Sequence, residues 1–439
     1  MQFLPQILFV ILITVSIFLF TKRALEIKRN ILLGRDENLN DHKSIRLKNV
    51  LLLAFGQKKM FKNPLVAILH FFVYAGFIII NIEILEIVLD GILGTHRLFL
   101  PYTSAIYNYL INAFEFLAAA VLISCVIFFI RRNTLHIKRF ISKDLKGWPK
   151  SDANYILITE IVLMSLFLIM NTTDQILQSA QTNHYSETGN FYISSLLMPL
   201  FQNLSISSLV IIERTCWWLH IIGIFAFLNY LPYSKHLHII LAFPNAYYSR
   251  LNVQGKMNNM PAIQQEVLYA MQPELIPTEP DTAEVKKFGA KDVFDLSWKN
   301  LLDSYTCTEC GRCSAACPAN STGKLLSPRK IMMDTRDRIT EVGKNIQKNG
   351  SFIDDNKSLL RDYISEEELR ACTTCNACVE ACPVSINPLD IIFQLRRYLI
   401  MEESNAPQEW NSMFSSIENN FAPWKLSPDE RNKWTEEIN

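Results

Sequence analysis

Two short runs decide how this chain reads: CTECGRCSAACPAN at 307–320 and CTTCNACVEACPVS at 372–385. Each spaces its cysteines C-x2-C-x2-C-x3-C and closes on a proline, Pro318 or Pro383. Paired iron–sulfur cubanes use this spacing, with the fourth cysteine of each run ligating the other cluster. The expected sets are Cys307, Cys310, Cys313 and Cys382 for one [4Fe–4S] cluster, and Cys372, Cys375, Cys378 and Cys317 for the other. Zinc is the plain alternative, but zinc sites do not favour a four-cysteine run ending in proline, still less two of them. The clustering also points to metal ligation in a reducing compartment and away from a disulfide framework. Cys125 and Cys216 stand alone in apolar runs and read as small apolar fillers.

The surroundings of these runs read as helix. Ser327-Pro328 offers an N-cap followed by proline in the first turn, opening SPRKIMMDTRDRI. Ser365 and Glu368 form a capping-box pattern just ahead of the second run. Trp298, Leu301, Leu302 and Tyr305 make a helical stripe leading into the first. No alternating strand pattern stands out, so an all-helical module is expected and not the compact ββα type.

The rest of the chain is apolar. Of 439 residues, 49% are hydrophobic and only 19% charged, more apolar than soluble proteins usually are. Five segments, near 3–21, 64–90, 106–130, 154–176 and 206–231, are long enough to cross a bilayer, which takes about 20 helical residues. The run from Phe3 to Phe20 has no basic leader and no small-residue cleavage site, and so reads as a span. Lys and Arg crowd 22–63 and 131–150, whereas 177–205 has none and 91–105 has only Arg97. Basic loops belong on the cytoplasmic side. The expected topology puts the N-terminus outside and everything after 232 inside, in a bacterial or archaeal cytoplasmic membrane.

The resulting fold class is all-α: a five-helix transmembrane bundle (1–240), a proline-bearing linker or extended arm (241–290), a cytoplasmic α-helical cluster-binding domain (291–403) and a tail (404–439). No G-x-G-x-x-G or phosphate-loop pattern occurs, so neither a nucleotide cofactor nor nucleic acid is expected as a ligand.

Imidazoles are costly inside a membrane, yet WWLHIIGIFAFLNYLPYSKHLH at 217–238 carries three of the eight histidines. Haem held between two histidines is one reason to keep them. On one continuous helix His220 and His238 would share a face about 27 Å apart. His70 lies near the cytoplasmic start of the second span, level with His238. His236 points elsewhere, and His42, His96, His136 and His184 read as loop or interface residues. Glu83, Glu86 and Asp90 share one face of the second span, with Glu115 and Glu213-Arg214 at similar depth. They suggest a proton path or quinol pocket, or else an ion-paired helix contact.

Two resemblances add to this. CTECGRC, CPA, the element from Thr322 to Lys330 and CTTCNAC resemble the helical dicluster ferredoxins of heterodisulfide reductase and of anaerobic glycerol-3-phosphate dehydrogenase anchor subunits. Those families pair with a cysteine-rich CCG module. The remaining cysteines here cannot build one, so the resemblance implies that substrate chemistry sits on a cytoplasmic Fe–S or flavoprotein partner. The spans resemble the gamma subunit of respiratory nitrate reductases and the cytochrome b subunits of heterodisulfide reductases, through His70, His220 and the Pro232-x-Ser234-Lys235-x-x-His238 tail. That resemblance implies haem b on His70 and His238. Ile80 stands where a second haem would need histidine, so His220 reads first as a quinone contact or a structural hydrogen bond and second as a haem iron ligand. The resulting expectation is a membrane-bound electron-transfer subunit of a quinone-linked (menaquinone or other) oxidoreductase. Its possible quinone or proton site is Glu83, Glu86, Glu115 and Arg214. A haem-free membrane-anchored ferredoxin and a redox sensor are the alternatives.

Overall fold

Proline, asparagine and glycine set the ends of the long apolar helices. In the second span the Asn63 side chain accepts from the Val66 amide, Pro64 occupies the first turn, and Gly94 at φ 75° ends the helix in the left-handed region. The computed structural model describes residues 3–103, 105–135, 137–253, 255–277, 287–436 and 438. Among these the architecture is all-α, with isolated bridges and no strand. Five helices are long and apolar enough to cross a membrane: Leu4–Ile31, Pro64–Leu93, Ala105–Asn133, Trp148–Ser179 and Ile206–Tyr230. The first and fourth outrun their apolar cores because their ends carry on as polar turns that pack on other parts of the chain.

The spans close into a ring in which each packs on the next and the fifth returns to the first. Phe9 on the first span wedges the ring shut. It is fully buried, stacks near Trp217, Trp218 and Phe225 of the fifth span, and lies over Gly91 of the second, where a Cβ would come within 2.7 Å of its ring. The single-helix expectation for His220 and His238 does not hold. Pro232 ends the fifth helix, two short 3-10 turns follow, and His238 opens a new helix, His238–Tyr247.

That helix crosses the expected 240/241 boundary and runs into the arm. Leu241 and Tyr248 pack on the cluster-binding module, and Asn245 donates to the Val384 carbonyl at 2.8 Å. A further helix, Pro261–Met271, starts on one of the prolines read as linker punctuation.

The module itself is built on Trp298–Thr306, Pro328–Asn349 and Pro388–Arg397. The anticipated caps are present: Ser327 accepts from the Lys330 amide, and Ser365 and Glu368 form a full capping box. One apolar core runs from Ile27 and Ile31 of the first span and Leu237 into Leu301, Leu302, Ile331, Ile339, Ile391 and Leu395. The module is thus docked on the basic-loop end of the ring. Asn30 donates to the Tyr305 hydroxyl at 3.1 Å, and the Arg35 amide donates to the Leu296 carbonyl at 2.7 Å. Gly34 permits this close approach, since a Cβ there would sit 2.7 Å from the Trp298 backbone nitrogen.

Backbone cannot move aside as a side chain can, so Gly34→Ala should destabilise the docked module by about 1–3 kcal/mol. Thermal unfolding of the detergent-solubilised protein measures this, and an unchanged midpoint would show that the seam is not tight.

Candidate metal centres

The two cysteine runs have matching backbones. Glu309 and Thr374 occupy the same place in each run at φ 51° and 58°, followed by Gly311 and Asn376 at 72° and 60°. These left-handed residues curl each run so that its amides face inward. The Glu309 amide points at the Cys307 sulfur, and the Thr374 amide at the Cys372 sulfur at 3.4 Å. Short helices follow, Arg312–Ala316 and Ala377–Ala381, and these pack against each other. Cys317 and Cys382 leave them with ψ 120° and 121° and turn back toward the opposite run.

The eight cysteines therefore border two cavities. One is lined by Cys307, Cys310, Cys313 and Cys382. The other is lined by Cys317, Cys372, Cys375 and Cys378. Among the described residues no three His, Cys, Asp or Glu side chains converge on a single ion. Burial pushes the thiols of Cys307, Cys378 and Cys382 up to about 12. Thiolates in such surroundings need a cationic centre to hold their charge.

The first cavity faces the ring. Its Arg329 donates to the Arg139 carbonyl at 2.9 Å and pairs with Asp144 at 2.7 Å, both in the loop between the third and fourth spans. Arg312 donates to the Lys59 carbonyl at 3.2 Å. The second cavity faces away, and its Cys375 is exposed.

Beside the first cavity stand three histidines. The charges of His238 and Arg312 act on His70, and the rings of His236 and His238 lie 5.5 Å apart. His238 donates from Nδ1 to the Lys235 carbonyl at 2.9 Å, and His70 Nδ1 faces the Gln57 carbonyl oxygen at 2.9 Å. Anchoring Nδ1 fixes the ring and leaves the Nε2 lone pair free, as metal-ligating histidines require. The three imidazoles are half-buried. His220 sits deeper, donating from Nδ1 to the Leu163 carbonyl at 3.0 Å, with its Nε2 buried and unpartnered. His42 is exposed, and His136 lies outside the described residues. Cys125 and Cys216 are buried in the apolar ring core.

At the opposite end the acidic residues gather around Arg97, which the charge count noted only as a loop cation. Arg97 binds Asp174 at 2.8 Å, Asn171 at 3.1 Å and the Tyr107 hydroxyl at 3.3 Å. Glu86 accepts from Tyr107 and the Phe99 amide, both at 2.7 Å. Glu115 accepts from Asn171 at 3.2 Å and from the Ile193 and Ser194 amides. Arg214 pairs with its neighbour Glu213. Glu83 differs, because its Oε2 is buried without a partner, as is His96 Nδ1. His96 and His184 are parts of this cluster, with ring centroids 5.3 Å apart. Glu160, in the fourth span, was not anticipated as a site residue and is half-buried.

Residues 306–386 match the family model of the 4Fe-4S dicluster domain. That match supports iron–sulfur clusters as the groups for the two cysteine runs. It is 28% identical to a probable iron–sulfur-binding oxidoreductase, FadF, of Bacillus subtilis, over 98% of this chain and 61% of the relative. It is 26% identical to the EtfAB:quinone oxidoreductase of Syntrophomonas wolfei, over 98% of this chain and 59% of the relative. Over 24% of this chain and 53% of the relative, it is 34% identical to one subunit of a ferredoxin/F(420)H(2)-dependent CoB-CoM heterodisulfide reductase of Methanosarcina acetivorans. The chain spans about six tenths of the length of the first two relatives. No solved structure matches it.

The dependence of the acidic cluster on Arg97 can be measured without any cofactor. Arg97→Met strands Asp174 as a buried charge and should cost roughly 3–5 kcal/mol of stability. Adding Asp174→Asn should restore part of that loss. Thermal unfolding in detergent would show both effects, and equal midpoints for all three proteins would contradict the ion-pair account.

Proposed function

We propose that this chain is a membrane-bound electron-transfer subunit linking a quinone in the bilayer to a soluble redox partner on the cytoplasmic side. The observation that carries the reading is a four-cysteine cavity set against a pair of Nδ1-anchored histidines at the basic-loop end of the ring. Cys307, Cys310, Cys313 and Cys382 would hold one [4Fe–4S] cluster, Cys372, Cys375, Cys378 and Cys317 the second, and His70 with His238 the iron of haem b. These groups supply one-electron storage when bound.

The chain's own residues fix and insulate that chemistry. The Gln57 and Lys235 carbonyls orient the imidazoles. Met332, Pro388 and Ile386 shield the first cavity from water. The exposed edge at Cys375 is where a soluble Fe–S protein or flavoprotein can approach the second. The N-terminus is outside in this arrangement. Quinone enters the reading through the name of the Syntrophomonas wolfei relative and through the acidic end. Of the candidates there, Glu86, Glu115 and Arg214 are occupied with protein partners, so Glu83, together with His96, is the carboxyl best placed to exchange protons with a quinol.

Purified protein should contain about eight cubane irons and show the sharp alpha band of a reduced b-type haem. His70→Ala and His238→Ala should each abolish that band, while His220→Ala keeps it. A protein with iron but no band would be a haem-free anchored ferredoxin, and a colourless one would end the proposal.

Cys382→Ser, although in the second run, should halve the iron to about four per chain. It should remove the same paramagnetic resonance signal as Cys310→Ser and leave the one that Cys375→Ser removes. Loss of a common signal in Cys382→Ser and Cys375→Ser would instead mean that each run serves its own cluster.

A further inference from the structure

The two runs share their left-handed turn positions, but the side chains there differ. Where the second run has Thr374, the first has Glu309, and this carboxylate is buried against the membrane bundle. It accepts from Lys235 Nζ at 2.5 Å and from Arg336 at 2.8 Å.

Lys235 has a second attachment, since its carbonyl accepts from His238 Nδ1 at 2.9 Å. Its own position is fixed, with the amide donating to Asp152 at 3.1 Å and Nζ to the Pro149 carbonyl at 2.6 Å. Glu309 also has a second attachment, through its amide to the Cys307 sulfur. A continuous chain thus runs from imidazole to Lys235, from Lys235 to Glu309, and from Glu309 to a sulfur of the first cavity.

We infer that Lys235 and Glu309 are positioning residues that tie the His70–His238 site to the first cysteine cavity and set the reduction potential of the centre bound there. The inference rests on the function proposed above. Its physical basis is charge: an electron arriving at the sulfurs is repelled by the Glu309 carboxylate and favoured by Lys235 and Arg336. The balance among the three fixes how readily that centre is reduced. Thr374 gives the second cavity no such control.

Redox titration of the purified protein followed by paramagnetic resonance tests this. Glu309→Gln keeps the backbone amide and the size of the side chain but removes the negative charge, and should raise the potential of the first-cavity centre. Lys235→Met removes a cation while keeping the carbonyl that anchors His238, and should lower it. Arg336→Gln should lower it too and serves if Lys235→Met folds poorly. The haem band should persist in all three. Thr374→Glu, which carries a carboxylate to the matching place, should lower the second centre alone and so tells the two signals apart.

Shifts of equal sign in Glu309→Gln and Lys235→Met would overturn the inference, as would equal movement of both centres or no movement in a protein that retains iron and haem. A preparation without iron would remove the proposed function and the inference with it.

Discussion

Each four-sulfur cavity takes its fourth cysteine from the other run, so neither cavity can form until the two runs lie side by side. The remainder of the module follows from that constraint. The short helices Arg312–Ala316 and Ala377–Ala381 must pack together, and the chain between them must leave and return to nearly the same place. Loop-closure entropy grows only with the logarithm of length, so a long insertion costs little more than a short one. The insertion is also structural. Its helix Pro328–Asn349 supplies Arg329 and Arg336 on the membrane side of the first cavity. It also supplies Arg338, fully buried between Asp292 and Asp355.

The same helix carries the constraint into the bilayer. Gly343 lies so close to Asn30 that a Cβ would come within 2.3 Å of its amide, and Arg29 donates to the Gly343 carbonyl at 3.1 Å. Basic residues at this end have two uses. Some are available to the membrane surface, but Arg29, Arg46, Lys62 and Lys235 bind the docked module or the helix leading to it. The charge asymmetry between the loops is therefore partly a docking surface. The side on which the module sits and the side on which the loops are basic are one physical fact.

What could be read from sequence was local. The caps at Ser327 and Ser365 and the stripe from Trp298 to Tyr305 depend on neighbours within one turn, and all took the expected form. The five spans were legible because apolar length needs no partner to be recognised. Other features depended on contacts between distant segments. His238 was placed on the fifth helix because helical rise is blind to where Pro232 breaks it. Arg97 looked like one stray loop charge, since nothing nearby in sequence shows that it turns inward onto Asp174. His96 and His184 do lie in loops, as read, but the contact of their rings at 5.3 Å was hidden for the same reason. Glu309 lay inside a quoted motif and still passed unnoticed. Its meaning comes from Lys235, 74 residues away, and from comparison with the neutral Thr374.

Polar groups in the ring show how the bundle divides its work. A lipid-facing polar atom has no solvent to bond, so such atoms must turn inward. At the acidic end most have done so and found partners in one another. Between that end and the three histidines, the bare atoms among the described residues are few: the Tyr74 hydroxyl, Glu83 Oε2 and His220 Nε2. Each belongs to a side chain that can carry or accept a proton. Apolar residues would close the bundle more cheaply at all three places, as Ile80 does at its own level, buried in the ring core. Retaining them makes physical sense if the interior is used to handle charge. The end that gathers histidines is the one pressed against the cysteines, and the end that gathers carboxylates is the one farthest from them.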